Sequence, residues 1–252
     1  MIIYFAGCMA TYREKNIAKT TIQLLKKLDA EFTMLGKDEW CCGSVMLRTG
    51  NIETVKQLME HNVKAIRNLG ADTIVTSCAG CYRTIKQDYP KYIGDLGFEV
   101  LHTPEFVLKF IDDGKLKFRS ISNSSKSNSI KSNSTKVTYH DPCHLGRHMN
   151  IYDPPRKVLQ AITGLKLVEM PRSRENARCC GSGGGVSSGY KDLSNQMADT
   201  RIKDALSTNA TILTSACPFC TYALKSATER ANAKDKLKVV DFSELILDYL
   251  EE

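Results

Sequence analysis

Thr73-Ile74-Val75-Thr76-Ser77-Cys78-Ala79-Gly80-Cys81 and Thr211-Ile212-Leu213-Thr214-Ser215-Ala216-Cys217-Pro218-Phe219-Cys220 are one phrase written twice. Each opens on a short β-branched and apolar run, suited to a buried strand, and ends on a C-x-x-C pair. The repetition extends outward. Cys41-Cys42-Gly43-Ser44 precedes the first phrase and Cys179-Cys180-Gly181-Ser182 the second, and a single cysteine, Cys8 or Cys143, stands further upstream. Five cysteines recurring in order and at similar spacing point to an internal duplication.

The strand and helix signals repeat with the cysteines. Residues 2–5 and 137–140 read as buried strands in matching places. Ile17, Thr21, Leu24, Leu25 and Leu28 share one face of a helix, and Pro154-Pro155 opens its counterpart, where proline suits a first turn. Amphipathic helices follow over 52–69 and 193–206, then strands over 73–76 and 211–214. After each C-x-x-C, strands at 99–101 and 238–240 lead into helices at 104–111 and 243–250. Alternating strands and helices imply an α/β fold: two pseudo-symmetric halves with largely parallel sheets. The expected organisation is a first repeat over 1–114, a linker over 115–136 and a second repeat over 137–252. The linker is rich in Ser, Asn and Lys, with Lys115, Lys117, Arg119, Lys126, Lys131 and Lys136 and no acid.

Composition narrows the function classes. The 252 residues are 42% apolar and 25% charged, which suits a folded core and rules out wholesale disorder. The net charge of +7 is concentrated in the linker and is weak grounds for a nucleic-acid surface. No apolar run approaches the roughly 18–20 residues of a membrane span, and no secretory signal is seen, so a cytoplasmic chain with reduced thiols is expected. Ten cysteines then point to metal or redox chemistry. Disulfides fit poorly with five cysteines per half. Zinc wants four ligands, usually from paired knuckles, and leaves a fifth thiol over. An iron–sulfur cluster takes cysteine thiolates and offers more than one iron, which suits the vicinal pairs Cys41-Cys42 and Cys179-Cys180. The glycine after each pair lets backbone amides approach sulfur. Cys8, Cys78, Cys143 and Cys217 fall just past the C-terminal ends of expected strands, where open parallel sheets gather ligands, so the cysteines of each half are expected to converge on one site.

The doubled pattern of C, CCG and CxxC resembles the cysteine-rich CCG-domain family. Asp38-Glu-Trp-Cys-Cys-Gly43, Thr76-Ser-Cys-Ala-Gly-Cys-Tyr82, Tyr139-His-Asp-Pro-Cys-His-Leu-Gly146, Arg174-Glu-Asn176 and Ala216-Cys-Pro-Phe-Cys220 look most like heterodisulfide reductase, in its B-type catalytic subunit or the matching part of the D-type one. The resemblance implies two non-cubane [4Fe-4S] clusters. One would be held by Cys8, Cys41, Cys42, Cys78 and Cys81, the other by Cys143, Cys179, Cys180, Cys217 and Cys220. It implies reduction of a small-molecule disulfide between them, with electrons from a ferredoxin-like iron–sulfur subunit or a flavoprotein and membrane association only through such a partner. The alternative within the same resemblance is an electron-transfer subunit of a flavin-dependent lactate, glycolate, glycerol-3-phosphate or succinate dehydrogenase complex. His144 and His148, beside Cys143, are the candidate proton donors. Arg147 is a candidate for holding an anionic substrate tail, His140 for capping a strand, Asp141 for bonding local amides, and Trp40 for shielding a cluster.

Overall fold

The computed structural model describes residues 1–119 and 134–251. Of the stretch read as a linker, 120–133 lie outside the described residues. On its near side Phe118 forms an antiparallel bridge with Leu250, and on its far side the second half is already in a strand from Thr135.

Each half is a four-stranded parallel sheet. The first contains β1 (Ile2–Phe5), β2 (Phe32–Thr33), β3 (Thr73–Thr76) and β4 (Glu99–His102), in the order β2-β1-β3-β4. The second contains β5 (Thr135–Tyr139), β6 (Leu165–Leu167), β7 (Ile212–Ser215) and β8 (Lys238–Asp241), in the order β6-β5-β7-β8. All pairings are parallel. The central strands carry Ile3, Tyr4, Ile74 and Val75, or Val137, Tyr139 and Leu213, all fully buried because helices cover both faces. The two α/β halves of an internal duplication are therefore present as expected.

The helices follow the apolar periodicity. Helix Lys15–Lys27 turns Ile17, Thr21, Leu24 and Leu25 inward, and burying each leucine contributes about 1.5–3 kcal/mol. Its counterpart Asp153–Ala161 has proline in its first turn. The last helix of each half, Thr103–Asp112 and Phe242–Tyr249, begins with the same device. Glu105 accepts the His102 N–H at 2.9 Å, and Glu244 accepts the Asp241 N–H at 3.0 Å.

The halves meet through a twofold-like contact. Helix Lys15–Lys27 packs on Phe242–Tyr249, and the equivalent helix Asp153–Ala161 packs on Thr103–Asp112. Each half thus presents the same pair of faces to the other, as in an isologous dimer. A single apolar core runs through both halves.

Candidate metal centres

In each sheet the chain leaves the first strand in opposite directions, which creates a crevice at the carboxyl ends of β1 and β3, and of β5 and β7. Cys8 lies in the turn of helix after β1, while Cys78 directly precedes the helix after β3, which carries Cys81. Cys143 follows β5, and Cys217 stands at the start of helix Pro218–Arg230, which carries Cys220. The vicinal pairs enter from loops. Gly43 and Gly181 both have φ +79°, and each donates its N–H to the sulfur two residues earlier, Cys41 at 3.4 Å and Cys179 at 3.3 Å. A Cβ on Gly181 would stand 2.6 Å from the Ser194 carbonyl oxygen, so glycine is required there.

The sulfurs of each set lie close together. Cys8 and Cys41 lie 4.0 Å apart and Cys180 and Cys220 3.3 Å apart. The neighbouring thiols Cys42 and Cys81, and Cys179 with Cys143 and Cys180, perturb one another's ionisation. So do Cys78 of the first half and Cys217 of the second. The two sets of five are therefore neighbours across the seam. Each half sets one thiol apart in the same way. Hydrogen bonds from Cys42 and Cys8 pull Cys41 down to about 2, and bonds from Cys143 and Cys180 pull Cys179 down to about 2. Cys8 and Cys143, beside those thiols, are pushed up by their neighbours and by burial.

The seam encloses a small pocket of about 30 Å³ lined by Ser44 and Gly80 from one half and Cys143, His144, Cys217 and Cys220 from the other. His144 is half-buried there, with His148 at a ring distance of 5.4 Å and exposed. Burial, with the Arg83 guanidinium nearby, pushes His144 down to about 4, so its ring is neutral near pH 7 and offers one N–H. A second cleft, about 620 Å³, opens beside Cys8 and Cys41 and is lined by Glu39, Trp40 and Tyr12.

Supporting polar groups depart from the sequence reading. Arg147 is engaged by the Ala177 carbonyl at 2.6 Å, so it anchors the loop that leads to Cys179. Asp141 does more than bond local amides. It pairs with Arg156 at 2.7 and 2.9 Å, both side chains nearly fully buried, and Arg156 also binds Glu169. Trp40 is 45% exposed and stacks on His61 at 3.6 Å. His140 stands directly after β5, as read from the sequence, and is fully buried against Arg201. Sequence reasoning missed Glu39, whose carboxylate accepts the Ala6 and Gly7 N–H groups at 3.0 and 2.7 Å. Only its place two residues before Cys41 could have drawn attention to it.

Ten cysteine sulfurs at the strand ends, two of them bonded by peptide N–H groups, are a donor set that suits iron–sulfur ligation. The comparisons agree. The family described as "Cysteine-rich domain" (CCG) matches residues 2–86 and 137–225. The chain is 46% identical over 253 residues to the D-type subunit of the dihydromethanophenazine:CoB–CoM heterodisulfide reductase of Methanosarcina acetivorans, covering 99% of this chain and 59% of that one. It is 36% identical to the B-type subunit of the fumarate reductase (CoM/CoB) of Methanothermobacter marburgensis, covering 96% and 45% respectively. It is 32% identical to the EtfAB:quinone oxidoreductase of Syntrophomonas wolfei, covering 99% and 34%. The chain thus spans about three fifths or less of these relatives. Among the described residues no helix is long and apolar enough to cross a membrane.

Proposed function

Because the chain belongs to the cysteine-rich CCG-domain family, we propose that it is an iron–sulfur oxidoreductase subunit of heterodisulfide-reductase type. It binds two [4Fe-4S] clusters of non-cubane type, one in each five-cysteine set, and cleaves a small-molecule disulfide at the seam. The observation that carries this reading is a pocket lined from both halves, with Ser44 and Gly80 on one side and Cys143, Cys217 and Cys220 on the other. A disulfide takes two electrons and two protons to become two thiols, RSSR′ + 2e⁻ + 2H⁺ giving RSH and R′SH. Each bound cluster would supply one electron.

The chain's own residues do the rest. Gly43 and Gly181 hold their N–H groups on sulfur and so stabilise thiolate charge. His144 lines the pocket and holds a proton on its ring within reach of a departing sulfur, and His148 at its rim exchanges protons with solvent. Arg147 fixes the loop before Cys179. Electrons arrive from a ferredoxin-like or flavoprotein partner, for which the cleft beside Cys8 and Cys41 is the natural approach. That cleft also supports a second reading, in which both clusters only relay electrons within a flavin-dependent dehydrogenase complex.

Iron and acid-labile sulfide, measured on protein purified without oxygen, test the reading. About eight of each per chain are expected. Cys42→Ser and Cys180→Ser should each lower iron to about half and abolish disulfide reduction. Full turnover in either variant eliminates cleavage between two centres, and zinc without labile sulfide eliminates the clusters.

A further inference from the structure

The two cysteine sets are copies, but what faces them is not. Phe5 pairs with Thr76 and Tyr139 pairs with Thr214, and those threonines hold the same place in the repeated phrase. His140 therefore stands where the first half has Ala6. The imidazole is fully buried. Its Nδ1 receives the Arg201 Nε–H at 3.0 Å, while its Nε2 has no hydrogen-bond partner among the described residues. A ring nitrogen of His140 and the sulfurs of Cys180 and Cys220 lie within 4.8 Å of one another.

The tautomer follows from the donor. A guanidinium N–H can only donate, so Nδ1 must offer its lone pair. The ring proton of the neutral imidazole then sits on Nε2. Arg201 is itself fixed, fully buried and bonded to the Arg172 carbonyl at 2.7 Å. A protonated Nε2 has no lone pair for a metal. With its free ring nitrogen protonated and two sulfurs nearby, His140 is equipped to donate to sulfur rather than to ligate, for as long as the Arg201 bond holds.

We propose that His140 donates its Nε2–H to a sulfur of the second centre and thereby makes that centre easier to reduce than the first. The inference rests on the cluster reading above. A hydrogen bond to sulfur stabilises the more negative, reduced state. In the first half the corresponding side chain is the Ala6 methyl, and the carboxylate of Glu39 lines the cleft beside Cys41. The same duplicated fold thus carries a difference between its two centres, and His140 is a positioning residue for it.

The test is a redox titration of each centre, followed by EPR, in the full chain loaded with iron and sulfide. His140→Leu should lower the potential of the second centre and leave the first unmoved. A tenfold shift in the reduction equilibrium corresponds to about 59 mV for one electron. His140→Gln, whose amide both accepts from Arg201 and donates onward, should restore most of it. In the wild type labelled with ¹⁵N-histidine, pulsed EPR should show a weak nitrogen coupling, as for a hydrogen-bonded ring. Equal potentials in wild type and His140→Leu at full iron content overturn the inference but leave the cluster reading intact. So does a nitrogen coupling of the size expected for direct coordination. A wild type that retains no iron or labile sulfide removes the cluster reading, and this inference with it. The ¹⁵N measurement needs no variant, so a misfolded His140→Leu does not rescue the proposal.

Discussion

The turn after β1 and the turn after β5 do one job with different groups. In the first half Glu39, from the loop before the vicinal pair, accepts the Ala6 and Gly7 N–H groups at 3.0 and 2.7 Å. In the second half Asp141 sits in the turn itself, accepts the Arg174 N–H at 2.9 Å and is locked to Arg156. The cysteines around both turns are identical in type and order. Each turn is tied to the loop before its vicinal pair by a carboxylate on one and a peptide N–H on the other, and that tie works in either direction. The duplicated chain keeps the cysteines and reverses the tie.

Breaking the second turn should cost the most. Arg156→Leu leaves Asp141 buried without its partner, and a loss of about 3–5 kcal/mol is expected in denaturant melts. Glu39→Gln keeps an acceptor oxygen and should cost only about 1 kcal/mol. Equal losses would show that the two turns are not supported differently. A finer contrast lies in the vicinal-pair glycines. Both Gly43→Ala and Gly181→Ala force a left-handed residue, at about 1–2 kcal/mol. A methyl at 181 also meets the Ser194 carbonyl at 2.6 Å, whereas one at 43 meets nothing nearer than the Val55 side chain at 3.3 Å. Gly181→Ala should therefore melt at the lower temperature and retain less iron, and the reverse order would contradict the geometry. The smallest effect is expected at the seam's rim, where Lys225 bridges to Glu14 at 2.9 Å. Lys225→Ala should cost about 0.5 kcal/mol and leave iron content unchanged, as a partly solvated ion pair does.

How much could be read in advance varies with the physics. β3 and β7 were legible because Ile74, Val75 and Leu213 sit in strands buried on both faces, which leaves a run of apolar residues. β2, only Phe32–Thr33, and β6, with exposed Lys166, are short edge strands with no such run. Helix Lys191–Leu206 buries Ser194 and Arg201 on its inner face, so its apolar period is blurred although its length was clear. The repeat of the cysteine sets could be read from spacing alone, because each set has one thiol after a strand, a vicinal pair before a glycine and a C-x-x-C turn. That both halves line one pocket at the seam could not, since that depends on how the halves dock. The same holds for His140 and Arg201, which meet across 61 residues of chain.

The paired packing of Lys15–Lys27 on Phe242–Tyr249 and of Asp153–Ala161 on Thr103–Asp112 has one more consequence. Two separate chains meeting this way would depend on their concentration, and every substitution would appear on both sides of the axis at once. Joined covalently, each half meets its partner at an effective concentration set by the connection itself, so dilution does not part them. Substitutions then fall on one side only. A histidine can stand beside one cysteine set while an alanine holds the matching place beside the other, which no symmetric pair of identical chains can encode.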